Sequence, residues 1–359
     1  MKKFILITVF VLFSSVSFAE ISTDWKWGKV FNSIVLVSGE NIAEISRPDA
    51  LDPDTLPHGE ENESELDSFK RRIIPYGMGT GFFINEFHIV TNYHVIKNFN
   101  KLSIYAFNHL FPITDVTIIG YDEEIEIAVL RINENIPHDF LRWADTAPII
   151  GSDVYALGHG MSQVWSLTKG ILSYDYRQNP GTSFVHYIQT DAVINSGNSG
   201  GPLMNEDGEV IGVNTLLISP DKYYVGYGYV IPTPLVKRAV SQILATGEHI
   251  KPFMGVLMGH IEDRAQYDEL KEDGINHYLE IKEVTKGSPA ELFGLKAGDI
   301  IVSIDDNDIQ VVPQVIEFLW SKNPGDQISF KVYRDYEYHI IDLVLETTKK
   351  DPVVVITPK

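Results

Sequence analysis

Residues 189–203 read QTDAVINSGNSGGPL, and one hydroxyl in this stretch, that of Ser199, sits between glycines. A serine that acts as a nucleophile needs its hydroxyl exposed on a tight turn, with backbone N–H groups aimed at the oxyanion that develops. The run Asn195-Ser196-Gly197-Asn198-Ser199-Gly200-Gly201-Pro202 has that character, because glycine permits close backbone approach. A matching base lies about a hundred residues upstream. VTNYHV, residues 90–95, places His94 at the end of an apolar strand. The other histidines have no comparable context. No His-Glu-x-x-His pattern occurs, so no metal site is expected.

Around these two motifs, Met78 to Pro232 is a series of short apolar runs cut by Gly, Asn and Asp: GTGFFI, FHIVTNYHVI, KLSIYAF, VTIIGY, IAVLRI, DVYALG, GILSYDY, VIGVNTLLI and VGYGYVI. Evenly spaced short strands of this kind predict an antiparallel barrel or sandwich. A helix follows, with Thr233 able to cap it, Pro234 suited to its first position and Gly247 to end it. Leu235, Val236, Ala239, Val240, Ile243 and Leu244 form its apolar face. Residues 248–252, EHIKP, read as a polar linker. A mixed unit then spans 253–346, with strand-like YLEIKEV, DIIVSID and QISFKVY and helical SPAELFGL and VPQVIEFLWS. The tail 347–359 carries no signal.

The chain has 359 residues, more than one compact domain usually holds. Its formal net charge of −20 argues against a nucleic-acid partner, since binding phosphates needs positive charge. With no cysteine there is no thiol nucleophile and no disulfide framework. Lys2 and Lys3, the apolar run Phe4 to Phe13 and Ser17-Phe18-Ala19 resemble a secretory signal peptide ending at residue 19. Cleavage would release the chain into a bacterial periplasm, whereas an uncleaved segment would anchor it to the membrane. Residues 47–72 are proline- and acid-rich and read as an exposed acidic loop. They lack the spacing of a calcium loop.

In order and spacing, GTGFFI, IVTNYHVI, IAVLRI, ALGHGMSQVWSLTKGILS, QTDAVINSGNSGGPL and GYVIP resemble the HtrA/Deg family of trypsin-like serine proteases. The resemblance continues through GSPAELFGLKAGDIIVSID as one PDZ domain. It implies a mainly β fold: a chymotrypsin-like double β-barrel over residues 20–247, followed by an α/β PDZ domain over 253–346. His94 and the triad acid would come from the first barrel and Ser199 from the second. At the position where the family carries its triad Asp, this chain has Glu126, within DEEIEIAVLRI. Glu has the same charge and one more methylene, so its carboxylate must fold back to reach His94. Asp122 matches a different family position, in the preceding turn.

The resemblance implies cofactor-free acyl transfer. His94 takes the Ser199 proton, Glu126 steadies the imidazole, and the oxyanion hole is built at Gly197 and Asn198 from the N–H groups of Gly197 and Ser199. Ile194, Leu217 and Tyr227 would line an uncharged S1 pocket, and Arg177 would match an activation-loop arginine. Phe253, Met254, Gly255 and Val256 would form the loop that binds a C-terminal carboxylate, with the peptide added as a strand. Trp25, Trp27 and Phe31 match aromatics that pack between protomers of a homotrimer, although a local latch would use them equally well. The expected activity is endoproteolysis of unfolded or misfolded envelope proteins. A protease-like scaffold with little turnover, and a sensor protease with one membrane substrate, stay open as alternatives.

Overall fold

The computed structural model describes residues 27–40, 78–109, 111–146, 149–160, 164–179, 182–217 and 226–347. The expected signal peptide, Trp25, the acidic loop and all but the first residue of the tail lie outside the described residues.

The first half of the protein is two antiparallel β-layers. Strands β1 (Ile34–Glu40), β2 (Met78–Phe83), β3 (His88–Thr91), β4 (Lys101–Ala106), β5 (Val116–Asp122) and β6 (Ile127–Ile132) form a six-stranded sheet in the order β4-β1-β2-β3-β6-β5. Strands β7 (Asp153–Gly158), β8 (Ser166–Asn179), β9 (Thr182–Thr190), β10 (Pro202–Met204), β11 (Val210–Leu217) and β12 (Gly228–Pro232) close into a barrel in the order β10-β11-β12-β9-β8-β7. One apolar core runs between them: Phe82, Val90, Ile127 and Val129 of the sheet meet Leu157, Met204, Val213 and Ile231 of the barrel. Burying both inner faces against each other brings the connecting loops together: a Cβ on Gly200 of the serine turn would stand 2.9 Å from Asn92 N, two residues before His94.

Three local expectations need correction. His94 is not on a strand: β3 stops at Thr91, and Tyr93–Ile96 form a single helical turn after Asn92. Pairing β3 further would carry the base into the ladder, whereas the turn swings its ring into the cleft. In the helix Thr233–Thr246, Thr233 is not the cap. Extended Pro232 precedes the helix, and the Thr233 hydroxyl donates to the Val210 carbonyl at 2.7 Å. The helix ends, as expected, on left-handed Gly247, and Leu235, Val236, Ala239, Val240 and Ile243 are buried. Leu244, expected on the same face, is exposed.

The second half is a sheet of β14 (Val256–His260), β15 (Leu279–Val284), β16 (Ile300–Ile304), β18 (Gln327–Arg334) and β19 (Glu337–Val344), in that order, with β17 (Asn307–Asp308) paired to β16. Helices Pro289–Phe293 and Val312–Trp320 pack on it through Ala290, Val315 and Leu319. Two elements without a sequence signal complete it. They are the helix Arg264–Glu272, capped by Asp263, and a two-residue pairing of β13 (Pro252–Phe253) with β20 (Glu346–Thr347). The halves touch through Trp320, whose ring joins the core of the first half. Arg238 also donates to the carbonyls of Ser321 and Lys322 at the end of the Val312–Trp320 helix.

Candidate active site

His94 Nδ1 lies 2.7 Å from Glu126 Oε2, and the His94 backbone N–H donates to the same oxygen at 3.0 Å. One carboxylate oxygen therefore orients both the ring and the turn that carries it. The extra methylene of Glu is absorbed by the backbone. Glu126 has φ 58, a left-handed conformation rare outside glycine, so its side chain starts from a displaced position. Its carbonyl is engaged too, accepting from Tyr93 N at 3.2 Å and from Asn92 Nδ2 at 2.8 Å. This Glu reaches His94 from a bend in the backbone.

The serine turn is stitched to the opposite layer through one residue that sequence reading passes over. The Thr80 hydroxyl donates to the Gly197 carbonyl at 2.7 Å, and Thr80 N–H donates to the Ser199 carbonyl at 2.8 Å. Thr91 in turn donates to the Thr80 carbonyl at 2.7 Å. Gly197 has φ 101, and a Cβ there would stand 2.4 Å from the His159 carbonyl oxygen. The turn thus requires glycine at this position. Asn198 N–H donates to the Asn195 carbonyl at 3.0 Å, so Asn198 shapes the turn and is not itself a free donor. Thr80, through its bonds to both carbonyls, fixes the peptide units that follow Gly197 and Ser199, and the Asn198 carbonyl between them accepts from Gly201 N–H at 3.0 Å. Beneath the turn lies buried His159, pushed down to about 4 by burial, with Nδ1 accepting from Trp165 N–H at 3.1 Å. It is a neutral spacer at any pH near 7.

The Ser199 hydroxyl is turned toward the Thr215 carbonyl at 3.3 Å. Catalytic hydrogen bonds are often loose without substrate and tighten in the complex. Ile194, one expected pocket residue, is buried against Gly228, where an added Cβ would meet its Cδ1 at 2.7 Å. Tyr227 is half exposed beside it, and Leu217 contributes backbone to β11, its side chain lying outside the described residues. Arg177 stays on the barrel: it donates to Gln189 Oε1 at 2.7 Å and lies over the Tyr174 ring. Groups of the first half that do face the second include His186 of the barrel, 4.0 Å from Glu317, and Arg238 of the helix that follows it. In the second half, Gly255 has φ 84, and its carbonyl accepts from Thr285 N–H at 2.8 Å, while the Met254 carbonyl accepts from Ala290 N–H at 2.9 Å. With both carbonyls turned inward, the loop Phe253–Val256 presents its other edge at the start of β14, which is an edge strand of the sheet.

Two family models match this chain: a trypsin-like peptidase domain over residues 79–213 and a PDZ domain over 252–345. The chain belongs to the HtrA/Deg family. A probable periplasmic serine endoprotease, DegP-like, of Chlamydia muridarum is 35% identical over 266 residues, covering 72% of this chain and 52% of the relative. Serine protease Do-like HtrA of Bacillus subtilis is 33% identical over 279 residues, covering 72% of this chain and 61% of the relative. The chain thus spans about half to two thirds of the length of these curated relatives. Among solved structures, HtrA-type protease AlgW with tripeptide superposes with a TM-score of 0.72 at 22% identity, covering 91% of this chain and 97% of that one. This likeness supports the fold: a mainly β trypsin-like unit followed by a PDZ unit.

Proposed function

We propose that the protein is a serine endopeptidase in which Ser199 is the nucleophile, His94 the general base and Glu126 the carboxylate that holds the imidazole. Ser199 attacks a peptide carbonyl as its proton passes to His94, and the Gly197 and Ser199 N–H groups receive the oxyanion. His94 then protonates the leaving amine, and water releases the acyl group. The observation that carries the reading is the 2.7 Å contact between His94 Nδ1 and Glu126 Oε2, which orients the base as the chemistry needs. Apart from the hydrolytic water, these steps use groups of the chain itself.

The residues from about 20 to 247 act as the peptidase and 253–346 as a PDZ module that takes peptides or C-termini at the Phe253–Val256 loop. Uncharged Ile194 favours small or medium apolar side chains at the scissile position. Several relatives are named as periplasmic, and the lysine-led apolar start of this chain fits export to the same place. Unfolded envelope proteins are the substrate class this reading assigns, in keeping with relatives named as periplasmic serine endoproteases. Trp27 packs on Tyr155 with ring centroids 4.6 Å apart and Phe31 on Phe107 at 5.7 Å, both within the chain, which favours a local latch over a homotrimer contact for these two aromatics.

The test is labelling by a fluorophosphonate together with cleavage of casein, in the presence of peptides with apolar C-termini. Labelling confined to Ser199, lost in His94→Ala, and casein cleavage lost in Ser199→Ala support the reading. Absence of both labelling and cleavage under every peptide would leave a binding scaffold.

A further inference from the structure

Glu126 ends a tight connection between two paired strands, in which Asp122 faces Ile127 across the ladder and residues 123–126 form the loop. Asp122 organises that loop from within: its Oδ1 accepts from Glu124 N–H at 2.9 Å and from Ile125 N–H at 3.2 Å. These bonds close the turn that leaves Glu126 in its left-handed conformation. Free of the turn, a glutamate relaxes to the ordinary region, since in the left-handed one its Cβ crowds the following carbonyl oxygen.

Asp122 is itself held from a distant part of the chain. His249 Nδ1 lies 2.5 Å from Asp122 Oδ2, and Lys251 Nζ donates to Asp122 Oδ1 at 2.8 Å and to Glu124 Oε2 at 2.7 Å. The side chains of Asp122 and His249 are 5% and 2% exposed, so the contact is shielded from solvent. His249 and Lys251 belong to the segment expected from composition to be a simple polar linker. The segment is instead packed against β5, where a Cβ on Gly120 would stand 2.1 Å from the Gly247 carbonyl oxygen. The Trp320 ring covers the cluster, 5.5 Å from Lys251 Nζ.

We infer that Asp122 is a positioning residue for the triad carboxylate, and that His249 and Lys251 complete it: the linker holds Asp122, Asp122 holds the turn, and the turn holds Glu126 against His94. The arrangement accounts for a feature left unexplained by the triad alone, namely how a longer acid works at a position suited to a shorter one. Burial acts to raise the Asp122 carboxyl, but the hydrogen bond from His249 and the Lys251 charge outweigh it and hold it near 2, so it is an anion wherever the enzyme works. The inference rests on the Ser199–His94–Glu126 reading proposed above.

The test uses the full chain with two variants, Asp122→Asn and the double change His249→Gln with Lys251→Met, each made in the wild-type and the Glu126→Gln backgrounds. In the wild-type background each variant is expected to lower kcat about tenfold to a hundredfold, with KM changed less than about twofold, as for a reacting group displaced by about 1 Å. The downfield proton resonance of the imidazole bonded to the carboxylate should weaken in parallel. In the Glu126→Gln background the same changes should cost less than about twofold, because the residue they position no longer carries the charge. Equal losses in both backgrounds, or an unmoved resonance with full kcat in the wild-type background, would overturn the inference. If Asp122→Asn does not fold, the linker double variant decides by the same criteria. Failure of the triad reading is recognised separately, by a Ser199→Ala chain that still cleaves.

Discussion

At the residue scale, Glu126 sets the geometry of the base. Its carboxylate takes both the ring and the backbone of His94 from a left-handed backbone position. Length and bend compensate each other, so restoring the shorter family residue should harm the enzyme. Glu126→Asp is expected to lower kcat/KM at least about tenfold, since a carboxylate drawn back by one bond loses its contact with Nδ1. Steady-state kinetics on a fluorogenic peptide checks this, and an Asp variant as fast as wild type would show that the turn adjusts freely. His94 and Ser199 were legible in the sequence because each sits in a dense motif whose residue types are dictated by chemistry. Thr80 was not. Its hydroxyl meets Gly197 across 117 positions of chain, and GTGFFI reads like any buried strand.

Among elements, the serine turn and the loop from Asp122 to Glu126 carry the strain. Gly200 has φ 85, and a Cβ there would lie 2.2 Å from the Thr80 carbonyl oxygen and 2.3 Å from Thr91 Oγ1. Gly200→Ala should therefore destabilise the protein by about 1–3 kcal/mol and abolish labelling of Ser199. Chemical denaturation alongside labelling measures both. The Asp122 cluster predicts an acid limit. Because its carboxyl titrates lower in the folded chain than in the unfolded one, its stabilisation is intact above about pH 4 and is lost as pH falls toward 2. Denaturation midpoints followed from pH 5 to pH 2 should fall less steeply in Asp122→Asn than in wild type. Strand positions were readable here because alternation and turn residues are local signals. The helical turn at Tyr93–Ile96 was not, since its apolar residues continue the strand pattern and only tertiary packing ends the strand at Thr91.

For the whole molecule, the two halves share a buried seam. Trp320 is buried in the core of the peptidase half although its helix belongs to the second sheet. Trp320→Ala should cost about 3–5 kcal/mol if the site cannot collapse, and should split a single thermal transition into two. Calorimetry reads both effects. His186 lies in the same seam, pushed down to about 4 by burial with the Asp175 charge opposing, while burial raises the Glu317 carboxyl. A histidine whose folded value is depressed contributes fully above its unfolded value near 6.5 and loses that contribution as pH falls toward 4. The His186 contribution is thus expected to weaken across that interval, while the Glu317 carboxyl, raised by burial, works in the opposite direction. Two units were legible from the change in composition around residues 248–252. Their docking was not, because Trp320, Glu317 and Arg238 have no local pattern that separates a contact with the other half from an ordinary helix surface.

The most direct test of the central assignment is the second-order rate at which a fluorophosphonate reacts with Ser199 in the wild-type chain and in Glu126→Gln. The pairing of Glu126 with His94 predicts a fall of about a thousandfold or more, with the variant still folded. Equal rates in the two proteins would contradict it.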